Sequence, residues 1–223
     1  MKPSVFPLDR RPLLLGVVHL LPLPGAPRAL GGRDRPWLVR ALADARTLAK
    51  VGFDGVVVEN HGDAPFFKGP VPPSTVAALA TAASAVRSAL PDTVTVGVNV
   101  LRNDAPAAIA IAAAADLDFV RINILQGAMV TDQGLIEGDA ARVLRDRAAI
   151  APHVRILGDV RVKHAAPIAP RPIADEARDL LGRGGADALI VTGGATGSAV
   201  DSTRLQEVRQ ACPDATILVG SGA

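Results

Sequence analysis

The 223 residues, 49% hydrophobic and 21% charged, suit one domain with a substantial core and exclude a disordered chain. Aromatics are scarce (five Phe, one Trp, no Tyr), so the interior is built from Val, Leu, Ile and Ala. The net charge of +2, from 24 basic and 22 acidic residues spread along the chain, marks no basic face, and nucleic acid is not an expected partner.

The N-terminal stretch MKPSVFPLDRRP has no apolar run of signal-peptide length. Beyond it, short apolar runs rich in β-branched residues predict strands over 13–18, 55–58, 94–98, 119–122, 154–157, 188–191 and 216–219. Each is apolar nearly throughout, the pattern of strands covered on both faces. Helical composition and spacing occupy 35–51, 74–90, 105–115, 139–150, 173–182 and 202–211. Gly52, Pro91, Pro152 and Gly184 read as helix stops, and Ser74, Asp104 and Asp201 as N-terminal signals.

Seven strands alternating with six helices indicate parallel βα repetition. A doubly wound sheet would place a G-x-G-x-x-G turn after its first strand, whereas this chain has HLLPLPGAP there. The predicted fold is therefore α/β, a (β/α)₈ TIM barrel forming a single domain over 1–223. Such barrels take about 250 residues, and this chain stops just past its seventh strand, so the eighth βα unit is expected to be missing. Because strands 1 and 7 would then expose unpaired edges, the chain reads as a fragment in preference to a ring closed by a partner.

The single Cys212 forms no internal disulfide and, placed before Pro213, reads as a packing residue. No segment reaches the 18 or so apolar residues of a membrane span. A cytoplasmic homo-oligomer is the expected state.

Barrel active sites sit at the strand C-termini. His19 follows the first strand, and Glu59, Asn60 and Asp63 the second. Asn99, Arg102, Asn103 and Asp104 follow the third; Arg121 and Asn123 end the fourth. Asp159, Arg161, Lys163 and His164 end the fifth, Thr192, Thr196 and Ser198 the sixth, and Ser221 the seventh. Two Gly-rich turns, with Thr192, Gly193, Gly194, Thr196 and Gly197 in one and Gly220, Ser221 and Gly222 in the other, are candidates for holding a phosphate. Glycines that merely permit tight βα turns are the alternative.

Glu59, Asp159, Lys163 and His19 are the acid–base candidates. A carboxyl group at an apolar strand end has its pKa raised by desolvation, which suits a general base. Asp159 and Arg161 share a strand face at period two, so a structural ion pair of Asp159 with Arg161 or Arg121 stands as the competing reading. Without spaced His or Cys partners no metal is predicted; a divalent ion held with help from His61, Asp63 and His164 has no support in spacing. Asn60, Asp63, Asn99, Arg102, Asn103, Arg121, Asn123, Asp132, Glu137 and His164 are assigned to substrate binding. The loop from Thr131 through Gln133 and Gly134 to Glu137 is either a lid or an irregular connection.

Several strings, GVVHLLPLPGAP (16–27), DGVVVENHGDAPF (54–66), GVNVLRNDA (97–105), FVRINILQGAMVTDQGLIEGDA (119–140), DVRVKHA (159–165) and DALIVTGGATG (187–197), resemble the BtpA/SgcQ family. The resemblance runs from about Leu13 to Ser221. It implies a ribulose-phosphate-binding type of TIM barrel, and for some cyanobacterial members a link to photosystem I biogenesis. Enterobacterial members sit with sugar-transport genes. His61 stands where the family favours an aromatic, and Arg161 where it favours His; the second departure weakens any His-based proton transfer at that point.

Together these readings lead to an enzyme acting on a phosphorylated sugar or nucleoside-like metabolite by proton transfer or bond cleavage. Glu59 or Asp159 would be the base and Lys163 an electrophile or Schiff-base former. A non-catalytic accessory factor for photosystem I, and a ligand-binding module without chemistry, are the competing functions.

Overall fold

A computed structural model describes residues 12–193 and 201–220. In chain order the elements are β1 (Leu15–His19), α1 (Pro36–Lys50), β2 (Gly55–Glu59), α2 (Pro73–Ala89), β3 (Thr95–Asn99), α3 (Ala105–Ala114), β4 (Phe119–Ile122), β5 (Ala128–Thr131), β6 (Gly134–Glu137), α4 (Ala140–Ile150), β7 (Arg155–Arg161), β8 (Ala165–Pro167), α5 (Ile173–Gly182), β9 (Ala188–Thr192), α6 (Ser202–Ala211) and β10 (Ile217–Gly220). The chain divides into two compact units, Met1–Arg121 with Asp146–Val154, and Ile122–Arg145 with Arg155–Ala223.

In the first unit β1, β2 and β3 run parallel and in chain order, from Leu15 opposite Gly55 opposite Thr95 to His19 opposite Glu59 opposite Asn99. The β4 strand joins β3 through the pairs Gly97–Phe119 and Val98–Val120. In the second unit β7, β9 and β10 are likewise parallel and in chain order. Neither unit reverses its strand order, as a doubly wound sheet would. This is the βα repetition of the TIM-barrel class, with seven parallel strands among the described residues.

The expected two-sided burial holds for β2 and β9, which are buried throughout. It fails for β1, which buries Gly16 and Val18 but leaves Val17 and His19 exposed, and for β10, where Val219 is exposed. Each of these strands has a parallel neighbour on one side only among the described residues.

Local chemistry explains the helix starts. The Asp104 carboxylate accepts from the Ala107 N–H and caps α3, and Asp201 caps α6 through the Thr203 N–H. The start expected at Ser74 falls instead on Pro72 and Pro73: proline lacks the N–H that a first helical turn leaves unpaired. Asp139 accepts from the Arg142 N–H at the start of α4.

The main departure from expectation is 128–137. The loop read as a lid or irregular connection is a β-hairpin, β5–β6, turned through Asp132 and Gln133 and closed by the pair Thr131–Gly134. The β8 strand pairs antiparallel with the other side of β5, from Met129–Pro167 to Thr131–Ala165. Met129 and Ala165 pack against a buried cluster of Ile124, Ile136 and Val162, so this small sheet has its own apolar support.

The first unit's core depends on a close approach of ring to backbone. Phe119 is fully buried, and a Cβ placed on Gly97 would come within 2.3 Å of its ring. Gly97→Ala therefore forces the ring off its site. A loss of about 1–3 kcal/mol is expected in urea unfolding, and an unchanged midpoint would mean the ring has room to move.

Candidate functional site

Register brings the first site together. His19, Glu59 and Asn99 are Cα partners across β1, β2 and β3, so one row of polar side chains crosses the C-terminal ends of three strands. Glu59 is buried, with His19 Nε2 3.5 Å from one carboxylate oxygen and Arg121 Nη1 3.9 Å from the other. Asn99, fully buried, donates through Nδ2 to the Arg121 carbonyl. The imidazole of His61 stacks on that of His19, ring centroids 4.4 Å apart.

Burial alone would push the Glu59 carboxyl up. The His19 hydrogen bond and the charges of Arg121, His19 and His61 together outweigh it, holding the group below a glutamate's ordinary 4.5. The expectation of an up-shifted carboxyl is thus corrected for Glu59. It is an anion at neutral pH, a weak proton acceptor, and suited to orienting an imidazole and stabilising its protonated form. His19, with 53% of its side chain exposed, is the member of the pair open to exchange a proton with a ligand.

The neighbouring residues assigned to substrate binding have structural partners. Asp63 accepts from the Leu23 N–H at 2.8 Å and from Asn60 Nδ2 at 3.1 Å. Asn60 also accepts from the Leu101 N–H at 2.7 Å. Asp104 accepts from the Val71 and Ala107 N–H groups. Arg102 is buried and Asn103 half-buried, both just beyond the end of β3.

In the second unit Asp159 and Asn123 are buried together, with Asn123 Nδ2 3.4 Å from Asp159 Oδ2. Asp159 and Arg161 do not share a face. A register shift sets Asp159 opposite Ile190 but Arg161 opposite Val191, so two residues of β7 separate what one step of β9 separates. Arg161 instead grips Glu176 with two hydrogen bonds, of 2.8 and 2.9 Å. The possible Asp159–Arg161 ion pair is corrected accordingly. Lys163 and His164 lie in the turn between β7 and β8, His164 with a left-handed backbone (φ 57°). Asp132 and Glu137 are exposed on the hairpin.

A cavity of about 500 Å³ opens in this unit, with Asn123, Asp159, Met129 and Leu180 among its walls and Arg171, Glu176, Asp179 and Arg183 beside them. Sequence reasoning missed those last four, because nothing in the string places residues 171–183 against 123–129. Arg171 pairs with Asp179 at 2.6 Å, which holds that carboxyl below its ordinary range.

Of the glycine-rich turns, Gly194, Thr196, Gly197, Ser221 and Gly222 lie outside the described residues, as does Ser198. Thr192 donates its hydroxyl to the Arg161 carbonyl, and Gly193 is buried just past β9. Gly220 belongs to β10 itself, where a Cβ would lie 3.1 Å from Thr192 Cγ2. Cys212 is buried, and burial pushes its thiol up, as for a packing residue. Among the described residues no three His, Cys, Asp or Glu side chains come together as metal ligands. Nor is any described helix long and apolar enough to cross a membrane.

Residues 10–223 match the model of the BtpA family. The chain belongs to the BtpA family. It is 43% identical over 210 residues to the photosystem I biogenesis protein BtpA of Synechocystis sp., covering 94% of this chain and 72% of that one. To an uncharacterized protein of Thermococcus kodakarensis it is 44% identical, covering 96% and 79%. Among solved structures the N-acetylmannosamine-6-phosphate 2-epimerase of Clostridium perfringens superposes with a TM-score of 0.55 at 10% identity, over 94% of this chain and 76% of that one. At that identity the likeness is one of fold.

The lowered carboxyl of Glu59 has a consequence for stability. Its folded value lies below the unfolded 4.5, so its contribution is complete above 4.5 and fades as pH falls through the folded value. Glu59→Gln is expected to cost about 1–3 kcal/mol at pH 7, with the gap to the parent protein closing as urea unfolding is repeated below pH 4.5. A gap that stays constant down to pH 3 would show that the carboxyl is not held ionised.

Proposed function

We propose that this BtpA-family protein is an enzyme acting on a phosphorylated sugar or nucleoside-like metabolite, by proton transfer or bond cleavage, within a single TIM-barrel domain. One observation carries the reading: a buried carboxylate, Glu59, stands between the imidazole of His19 and the guanidinium of Arg121 at the strand ends. Holding a buried charge there costs stability unless it is partnered, and the half-exposed imidazole beside it is suited to acid–base work. His19 is the proton carrier and Glu59 its orienting anion. Asp159 is the second carboxyl group, with Asn123 beside it, and Lys163 is the electrophile or Schiff-base former. Thr192 and Gly193, at the end of β9 and just past it, are assigned to the phosphate. The epimerase of the same fold acts, by its name, on a phosphorylated amino sugar, which supports a ligand of that kind.

The relationship to the Synechocystis protein favours one other reading, a non-catalytic accessory factor in photosystem I biogenesis. The two separate on ligand binding. At about a hundred times its dissociation constant a true ligand adds roughly 2.7 kcal/mol of stability, so thermal unfolding against phosphorylated sugars and nucleotides, beside their unphosphorylated forms, should show a phosphate-dependent shift. Once a substrate is found, His19→Ala should lower turnover about 10²–10⁴-fold while the ligand shift persists. Full turnover in both Glu59→Gln and Asp159→Asn would overturn the catalytic assignment.

A further inference from the structure

Glu59 holds the imidazole of His19 only loosely. Nε2 of His19 lies 3.5 Å from the carboxylate, beyond the roughly 2.7–3.2 Å of a good N–H···O bond, and half of the His19 side chain is exposed. A carboxylate at that distance favours the tautomer with its proton on Nε2 and leaves the ring plane free to tilt. Nδ1 is then the nitrogen that takes up a proton, and the tilt of the ring decides where Nδ1 points.

The face of His61 meets the same ring, with centroids 4.4 Å apart and planes 29° from parallel. That is the close end of the range for stacked aromatic rings, about 4.5 Å. A stack restrains the tilt that a single hydrogen bond does not.

The backbone that carries His61 is fixed in turn. His61 opens a single 3₁₀ turn, His61–Asp63. The Gly62 N–H donates to the Leu20 carbonyl, and a Cβ on Gly62 would lie 2.5 Å from the Pro22 nitrogen. The turn therefore lies backbone to backbone against the segment that follows His19. Asp63 accepts from the Leu23 N–H of that segment and from Asn60 Nδ2, while Asn60 accepts from the Leu101 N–H. These buried groups tie together the two strand ends that carry the two imidazoles.

We infer that His61 is a positioning residue for His19: its ring is the surface against which the proton carrier is set, and Asn60, Gly62 and Asp63 hold the turn that presents it. This assignment rests on the proposed function, in which His19 carries the proton.

Relaxation of the ring carbons by ¹³C NMR on the full chain reads the order of its four histidines, with His19→Gln identifying the His19 signal. The His19 ring should be rigid, with an order parameter near about 0.85, in the parent and in His61→Phe, which keeps a ring face and loses both nitrogens. In His61→Ala it should fall below about 0.6, with the melting temperature in place because the His61 side chain is exposed. Once a substrate is found, His61→Ala should lower turnover about two- to tenfold, the worth of an aromatic stack. The ligand's melting shift should persist there, and His61→Phe should restore the rate. A His19 ring as ordered in His61→Ala as in the parent overturns the inference and leaves the enzyme reading standing. Loss of order in His61→Phe as great as in His61→Ala also overturns it. A ring released by His61→Ala and held by His61→Phe, with turnover indifferent to His19→Ala, supports the stack and overturns the proton-carrier reading.

Discussion

A carboxylate removed from water must meet positive charge or hydrogen-bond donors at once, and Glu59 imposes that demand at the C-terminal end of β2. His19 and Arg121 meet it from either side, and Asn99 steadies the arrangement by donating to the Arg121 carbonyl. None of these residues is near another in the chain. Parallel strands in matching register carry them to one level, and the register depends on packing below, where Gly97 admits the ring of Phe119. The chemistry of the site and the packing of the core are therefore two consequences of the same alignment.

The second unit achieves order by a different device. One extra residue in β7 turns Arg161 away from Asp159 and toward Glu176 on α5. The carboxyl group of Asp159 accepts from the amide of Asn123, and both line a cavity of about 500 Å³. Ion pairing along α5 ties Arg161 and Arg171 to Glu176 and Asp179, while the β5–β6–β8 sheet builds on its own cluster of aliphatic side chains.

Membership of the BtpA family joins this chain to cyanobacterial and archaeal relatives of 43 and 44% identity. The identities extend over 94 and 96% of this chain, so the relationship is not confined to one of its two units.

The strands, the helices and the class of fold were legible in the string of residues. Aliphatic runs, prolines at helix starts and capping aspartates act locally, so they survive without knowledge of the fold. His19, Glu59, Arg121 and Asp159 could be nominated from their place after an apolar run. What no run of residues reveals is which nominated groups meet and what each does to its neighbour's charge. Burial by itself predicts a raised carboxyl at Glu59; the His19 hydrogen bond and the Arg121 guanidinium, from distant strands, help reverse the sign. Period two predicts a shared face for Asp159 and Arg161; a one-residue shift against β9 separates them. Residues 128–137 lacked the length and alternation that would announce a hairpin, and it is the pairing with β8 and the support of Ile124 and Val162 that make strands of them. Local propensity settles the elements because it acts within a turn of chain, whereas pairing, charge and cavities depend on residues about forty positions apart, and only tertiary structure sets those distances.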